Sequence, residues 1–308
     1  GKCIDMRYQT PCIECAKRQG LRIYRLVLDG RESSSFDRTE EALRADLDAL
    51  ISQADPALSP AELSLIAIRA GQRHAGSDDP FREIKKHNNQ LALRLYPELK
   101  ERIAGHPEPL RLACQLAVCG NIIDLGIHED FDIHATIEKV LREGFARDDF
   151  DSFLELAETI HREKTGPKLL YICDNAGEIV FDRIFIEELI HVYPRLDITA
   201  VVRQVPVLND ATMEDARESG LTAVVPVIDN GNAELGTVLR TASDELRDAY
   251  AEADVIISKG QANYETLPHD DERVFFILKA KCEVIAASLG VKLWDAVLLR
   301  GKKDGNEP

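Results

Sequence analysis

The sequence predicts an α/β protein, with an all-helical N-terminal part and a parallel α/β C-terminal part. Three observations predict it. Apolar residues recur at helical spacing through the first half. From Gly166-Pro167 onward, short apolar runs alternate with amphipathic stretches. The runs beginning at Leu169, Ile198, Ala223 and Val255 start 25 to 32 residues apart, the spacing of strand–helix–strand units with right-handed crossovers.

The helices follow in order. Ile13, Ala16, Tyr24 and Val27 suggest the first, with Gly20 as a weak point. Over 37–54, Leu43, Leu47, Leu50 and Ile51 share one face. Ser59-Pro60-Ala61-Glu62 reads as a helix start, with Ser as cap, Pro at the first helical position and Glu three after the cap. The run 63–70 is apolar on most sides, and 81–95 and 135–141 fit a helical period. Residues 110–119 are apolar almost all round and predict a buried helix, broken by Gly120.

The strands follow. Residues 169–173 predict the first, with a helix to about His191, and 198–202 the second. Residues 223–228 predict a third, at an edge or a strand end because of Pro226. Residues 255–258 predict a fourth, and 275–277 and 296–299 add further candidates. The expected division is 1–165 helical, 166–301 α/β with the catalytic metal site, and 302–308 a flexible tail.

Charge narrows the partners. Thirty-eight basic residues against 54 acidic ones give a net of −16 over 308 residues, which repels nucleic acid and anionic membrane over most of the surface. No run approaches the ~18–20 apolar residues of a membrane span. The start, Gly-Lys-Cys-Ile-Asp, carries no apolar segment of a secretory signal. Seven cysteines, an odd number spread over a long chain, do not read as a secreted disulfide framework. A reducing, cytoplasmic location is expected.

In parallel sheets, ligands bind beyond the carboxyl ends of the strands. The first strand ends in Asp174-Asn175-Ala176-Gly177-Glu178. Asp and Asn offer oxygen ligands to a hard divalent cation, and the same pair also serves as a turn and helix cap. The second strand leads to Asp210, either a further carboxylate at that mouth or the cap of a helix over 211–217. The fourth ends in Lys259-Gly260-Gln261-Ala262-Asn263-Tyr264-Glu265, where the Lys and the amide of Asn263 are set to meet a phosphate or to lie in a surface loop. Neither GxxxxGK[ST] nor GxGxxG occurs. A hard metal together with a Lys is the recurring way to neutralise a phosphoryl group, so metal-assisted hydrolysis of a phosphomonoester is the favoured chemistry, with Asp174, Asp210 and Lys259 as its catalytic groups.

Together with Leu208-Asn209-Asp210-Ala211-Thr212, Asp79-Pro80-Phe81, Lys85, Asn88, Gly120-Asn121-Ile122-Ile123-Asp124 and Lys281-Cys282, these strings resemble the metal-dependent damage-control phosphatases, once called domain of unknown function eighty-nine. Pro11-Cys12-Ile13-Glu14-Cys15 is similar to the prokaryotic branch of that family. The resemblance runs from about residue 5 to about residue 300. It implies a helical N-terminal region on a three-layer α/β/α domain with a mainly parallel sheet. It implies one divalent metal ion (Mg, Mn, Co or Ni) held by residues matching Asp174, Asn175 and Asp210. It implies substrate contacts from Glu178, Asn121, Asp124, Lys259 and Asn263, and small phosphorylated metabolites such as sugar phosphates or phosphopantetheine compounds as substrates.

Two alternatives stand beside this reading. One is a non-catalytic phosphometabolite-binding protein. The other is an S-adenosylmethionine-dependent carboxyl methyltransferase, for which the turn after the first strand lacks a Gly-rich cofactor loop. The Cys12–Cys15 pair is open between packing and a metal or redox role, with Cys3 as a further candidate ligand. No HxxxH or HxH pairing singles out a histidine as a ligand.

Overall fold

The computed structural model describes residues 6–28, 36–119 and 133–302. Asn121, Asp124, Cys3 and most of the expected tail lie outside the described residues. The N-terminal part builds α1 (Thr10–Leu28), α2 (Phe36–Ser52), α3 (Pro60–Ala75), α4 (Arg82–Ala104), α5 (Pro109–Ala117) and α6 (Ile133–Glu143). The start of α3 is a capping box. The Ser59 hydroxyl accepts the Glu62 N–H at 3.2 Å, and the Glu62 carboxylate accepts the Ser59 N–H at 2.9 Å. Helix α1 runs through Gly20 without a break. Gly20 is a contact point, since a Cβ there would sit 2.6 Å from the Ala67 carbonyl oxygen, and one on Gly71 would sit 2.3 Å from the Gly20 oxygen. Two glycines facing each other let the backbones of α1 and α3 meet. Ala16, Leu47 and Leu63 form a small core among the first three helices.

The rest of the chain builds β1 (Arg147–Asp148), α7 (Phe150–Glu163), β2 (Lys168–Ile172), α8 (Glu178–Val192), β3 (Asp197–Val202), α9 (Met213–Glu218), β4 (Val227–Asp229), α10 (Asp244–Glu252), β5 (Val255–Lys259), α11 (Gln261–Thr266), β6 (Val274–Lys279), α12 (Glu283–Leu289) and β7 (Ala296–Arg300). The sheet order is β1-β7-β6-β5-β2-β3-β4. Strands β2 to β6 are parallel, and β7 runs antiparallel to β6. The fold is thus the expected mainly parallel α/β sheet with helices on both faces.

The third expected strand is shorter than its apolar run. Leu221–Ala223 form a 3-10 turn entered through left-handed Gly220, and only Val227–Asp229 pair, at the sheet edge. Pro226 has no N–H to give, and it contributes its carbonyl alone, accepting the Ala200 N–H at 2.9 Å.

Side chains alternate between the two faces with period two. Leu169, Tyr171, Val255 and Ile257 pack under α5 and α8, against Leu116, Ile184 and Phe185. Leu170, Ile172 and Ile256 pack on the other face against Leu246 of α10 and Ile285 of α12. Each such side chain, buried from water, is worth about 1.5–3 kcal/mol. No helix among the described residues is long and apolar enough to cross a membrane.

Candidate functional site

The chain steps from β2 outward to β3 and β4, then returns to place β5 and β6 on the other side of β2. This reversal opens a crevice at the carboxyl ends of β2 and β5. Asp174 sits at that point. A Cβ on Gly260 would fall 2.0 Å from Asp174 Oδ2, and Gly260 has a left-handed φ of +84°. Glycine is required there on both counts.

Backbone pairing brings Asp210 to the same mouth. Asn175 and Asp210 face each other in an isolated antiparallel bridge. The Ala176 N–H donates to the Asn209 carbonyl at 2.9 Å, and the Ala211 N–H donates to the Asp174 carbonyl at 2.8 Å. Asp174, Asn175 and Asp210 are 5%, 4% and 3% exposed. All three line a cavity of about 560 Å³, whose other walls include Cys12, Glu265 and Lys281.

Lys259, Glu178 and Asn263 are brought to the same strand ends but do not line this cavity. The fully buried Lys259 ammonium donates to Asp182 Oδ1 at 2.6 Å, to the Ala117 carbonyl at 2.7 Å, and to Glu178 Oε1. Tyr171 Oη also donates to Asp182 Oδ1, at 2.7 Å. Burial works against the ammonium, but Asp182 and Glu178 outweigh it and hold Lys259 above its ordinary range. Burial pushes Asp182 up to about 6 despite the pull of Lys259. Among the described residues, Glu178 Oε2 and Asp182 Oδ2 have no hydrogen-bond partner.

Asn263 is a fastener between strand ends. Its Nδ2 donates to the Lys259 carbonyl at 2.7 Å and the Cys173 carbonyl at 3.2 Å. Its Oδ1 accepts from Thr237 Oγ1 at 2.8 Å and Arg203 Nη2 at 3.0 Å. Arg203, at the end of β3, also donates through Nε to Asp210 Oδ2 at 2.7 Å. It thereby fixes which way one proposed ligand points.

The electrostatics fit a cation. Burial raises Asp174 well above the usual carboxylate range, and the charges of Asp210 and Glu178 add to it. Burial also raises Asp210, against the pull of Arg203. Two hard carboxylates that hinder each other's ionisation, with an amide beside them, suit a divalent metal that would relieve the repulsion. Among the described residues no three His, Cys, Asp or Glu side chains gather around one point. A metal here would therefore use the Asn175 amide oxygen as its third protein ligand.

Sequence reading missed the roles of Arg203, Asp182 and Glu265. Arg203 was visible as a basic residue closing an apolar run, and Asp182 as the carboxylate four residues after Glu178 on one helix face. Glu265 was visible only as the last residue of the string that begins at Lys259, because its position on the cavity wall depends on the packing of α11. Cys12, Cys15 and Cys282 line the same cavity as free thiols, while Cys114, Cys119 and Cys173 are buried core residues.

Comparisons with known proteins show the family and the fold. Residues 9–297 match the family described as Damage-control phosphatase ARMT1-like domain. A damage-control phosphatase of Pyrococcus horikoshii is 32% identical over 299 residues, covering 96% of this chain and 99% of the relative. A damage-control phosphatase of Archaeoglobus fulgidus is 35% identical over 225 residues, covering 72% of this chain and 76% of the relative. The crystal structure of a DUF89 family protein from Pyrococcus horikoshii superposes with a TM-score of 0.83 at 30% identity, covering 96% of this chain and all of that one.

Proposed function

This chain belongs to the damage-control phosphatase ARMT1-like domain family, and from that premise we propose that it hydrolyses phosphomonoesters of small metabolites with the help of one divalent metal ion. The observation that carries the reading is the convergence of Asp174, Asn175 and Asp210, all buried, on one cavity, with Arg203 bonded to Asp210 alone of the two carboxylates. These three would hold the metal. When bound, it supplies Lewis acidity toward phosphate oxygens and toward a water.

The chain's own residues do the rest. Arg203 orients the Asp210 carboxylate, and Gly260 leaves room for that of Asp174. Lys281 lines the cavity, and its positive charge reaches both Asp174 and Asp210, so it is suited to meet the outer oxygens of a phosphoryl group. The sequence reading has Lys259 meet the phosphate directly, whereas here it sits behind Glu178 with its charge matched by Glu178 and Asp182, so its part in this reading is to hold the Glu178 carboxylate in place. The family resemblance also assigns substrate contacts to Glu178, Asn263, Asn121 and Asp124; of these, Glu178 and Asn263 stand behind the cavity wall, with the Asn263 amide engaged at both ends.

The test is phosphate release from a panel of sugar phosphates, nucleotides and phosphopantetheine, with and without Mg, Mn, Co or Ni. Metal-dependent release supports the reading. Metal-dependent binding without release favours a binding protein, and neither response contradicts both.

A further inference from the structure

We propose that Asn89 is a positioning residue for the metal site, locking the turn that carries Asp174 and Asn175 to the segment that carries Asp210. This rests on the metal reading above, because it concerns how the ligands are held.

Asn89 lies on α4, in the helical part of the chain, and is completely buried. Its Oδ1 accepts the Gly177 N–H at 2.7 Å. Its Nδ2 donates to Asp215 Oδ1 at 2.9 Å and to Glu218 Oε2 at 2.9 Å. Asp215 carries the tie onward, for its Oδ2 accepts both the N–H and the hydroxyl of Thr212, each at 2.8 Å. Gly177 is two residues beyond Asn175, and Thr212 is two residues beyond Asp210. One planar amide therefore spans the two loops that supply all three proposed ligands.

The choice of residue follows from the two partners. Gly177 presents an N–H at the start of α8 that needs an acceptor, and Asp215 presents a carboxylate that needs a donor. A primary amide offers both on a short stem. An Asp would satisfy Gly177 and repel Asp215, and a Leu would satisfy neither. Gly177 lies close against α4, since a Cβ on it would sit 3.0 Å from the Asn88 Cβ. Lys85, 3.5 Å from Asp215 Oδ2 and 3.7 Å from Asp79 Oδ2, balances the buried charge at the far end of the tie.

The experiment uses the full chain stripped of metal by a chelator, then titrated calorimetrically with Mn²⁺, with a thermal melt of each variant alongside. Asn89→Asp is expected to weaken Mn²⁺ binding by about 10- to 100-fold, the usual cost of losing a group that orients a ligand. The exchange variant Asn89→Asp with Asp215→Asn restores one donor and one acceptor with the charge unchanged, and exposed Glu218 is free to turn to solvent. It is expected to recover affinity to within about threefold of wild type. Should Asn89→Asp fail to fold, Asn89→Ser, too short to span both loops, carries the same expected loss. A folded Asn89 variant binding Mn²⁺ like wild type overturns the proposal. So does an exchange variant that regains its melting temperature but not its affinity, since that pattern marks a merely structural tie. Wild type that binds no Mn²⁺ overturns the metal reading itself, and this proposal with it.

Discussion

Lys259 and Asp182 form an ion pair that is fully buried beneath α8, Nζ to Oδ1 at 2.6 Å, with Glu178 as the second carboxylate on the same ammonium. Replacing Lys259 by Met would leave two carboxylates in the core without a counter-charge. We expect Lys259→Met to lose about 3–5 kcal/mol of stability, the cost of breaking a buried pair from one side. Urea denaturation of the variant measures it. A loss below about 1 kcal/mol would place Lys259 with exposed pairs and contradict the buried assignment.

Gly260 makes a sharper test of the mouth than any charged residue. Gly260→Ala puts a methyl where Asp174 Oδ2 now lies, on a backbone with φ +84° and ψ +165° that is essentially reserved to glycine and costs other residues on the order of 1–3 kcal/mol. The carboxylate must move. Mn²⁺ affinity is expected to fall at least about tenfold, the loss typical of a displaced ligand shell. Calorimetry giving wild-type affinity for a folded Gly260→Ala would remove Asp174 from the ligand set.

Burial raises Glu265 from its ordinary 4.5 to about 7. The folded protein thus holds this proton more tightly than the unfolded chain. Its contribution to stability is fully present below pH 4.5 and is lost as pH rises through 7. Glu265→Gln lacks that loss. The stability of the variant minus that of wild type should therefore grow by about 3 kcal/mol between those limits, other groups cancelling in the difference. Denaturation midpoints for both proteins across that range read it directly, and a flat difference would contradict the buried, raised carboxyl.

Much of the frame was legible because strands buried on both faces announce themselves as unbroken apolar runs. Residues 169–173, 198–202 and 255–258 match β2, β3 and β5 to within a residue or so. The two-residue β1 has no apolar signal and joins the sheet only through its pairing with β7. At the site, Asp174, Asn175 and Asp210 were legible from the rule about strand ends, since a side chain just past a strand is free to face the mouth. Lys259 differs because it is the last residue inside β5, paired with Ile277. Alternation puts it on the same face as Val255 and Ile257, under α8. That signal was in the sequence, but the partners Ala117 and Asp182 depend on how α5 and α8 lie on the sheet. The cavity wall built from Cys12, Glu265 and Lys281 joins three distant parts of the chain, and no local pattern predicts such a meeting.

The central claim is that phosphate-ester hydrolysis here needs a divalent metal held through Asp174. Its most direct test is phosphate release by the full chain after chelation, with and without Mn²⁺ restored, for wild type and Asp174→Ala side by side, on a substrate that the panel has identified. The account predicts that Mn²⁺ restores release to wild type and not to the variant, which remains folded by its thermal melt. Release that persists in wild type without metal, or that Mn²⁺ restores equally in Asp174→Ala, would contradict it.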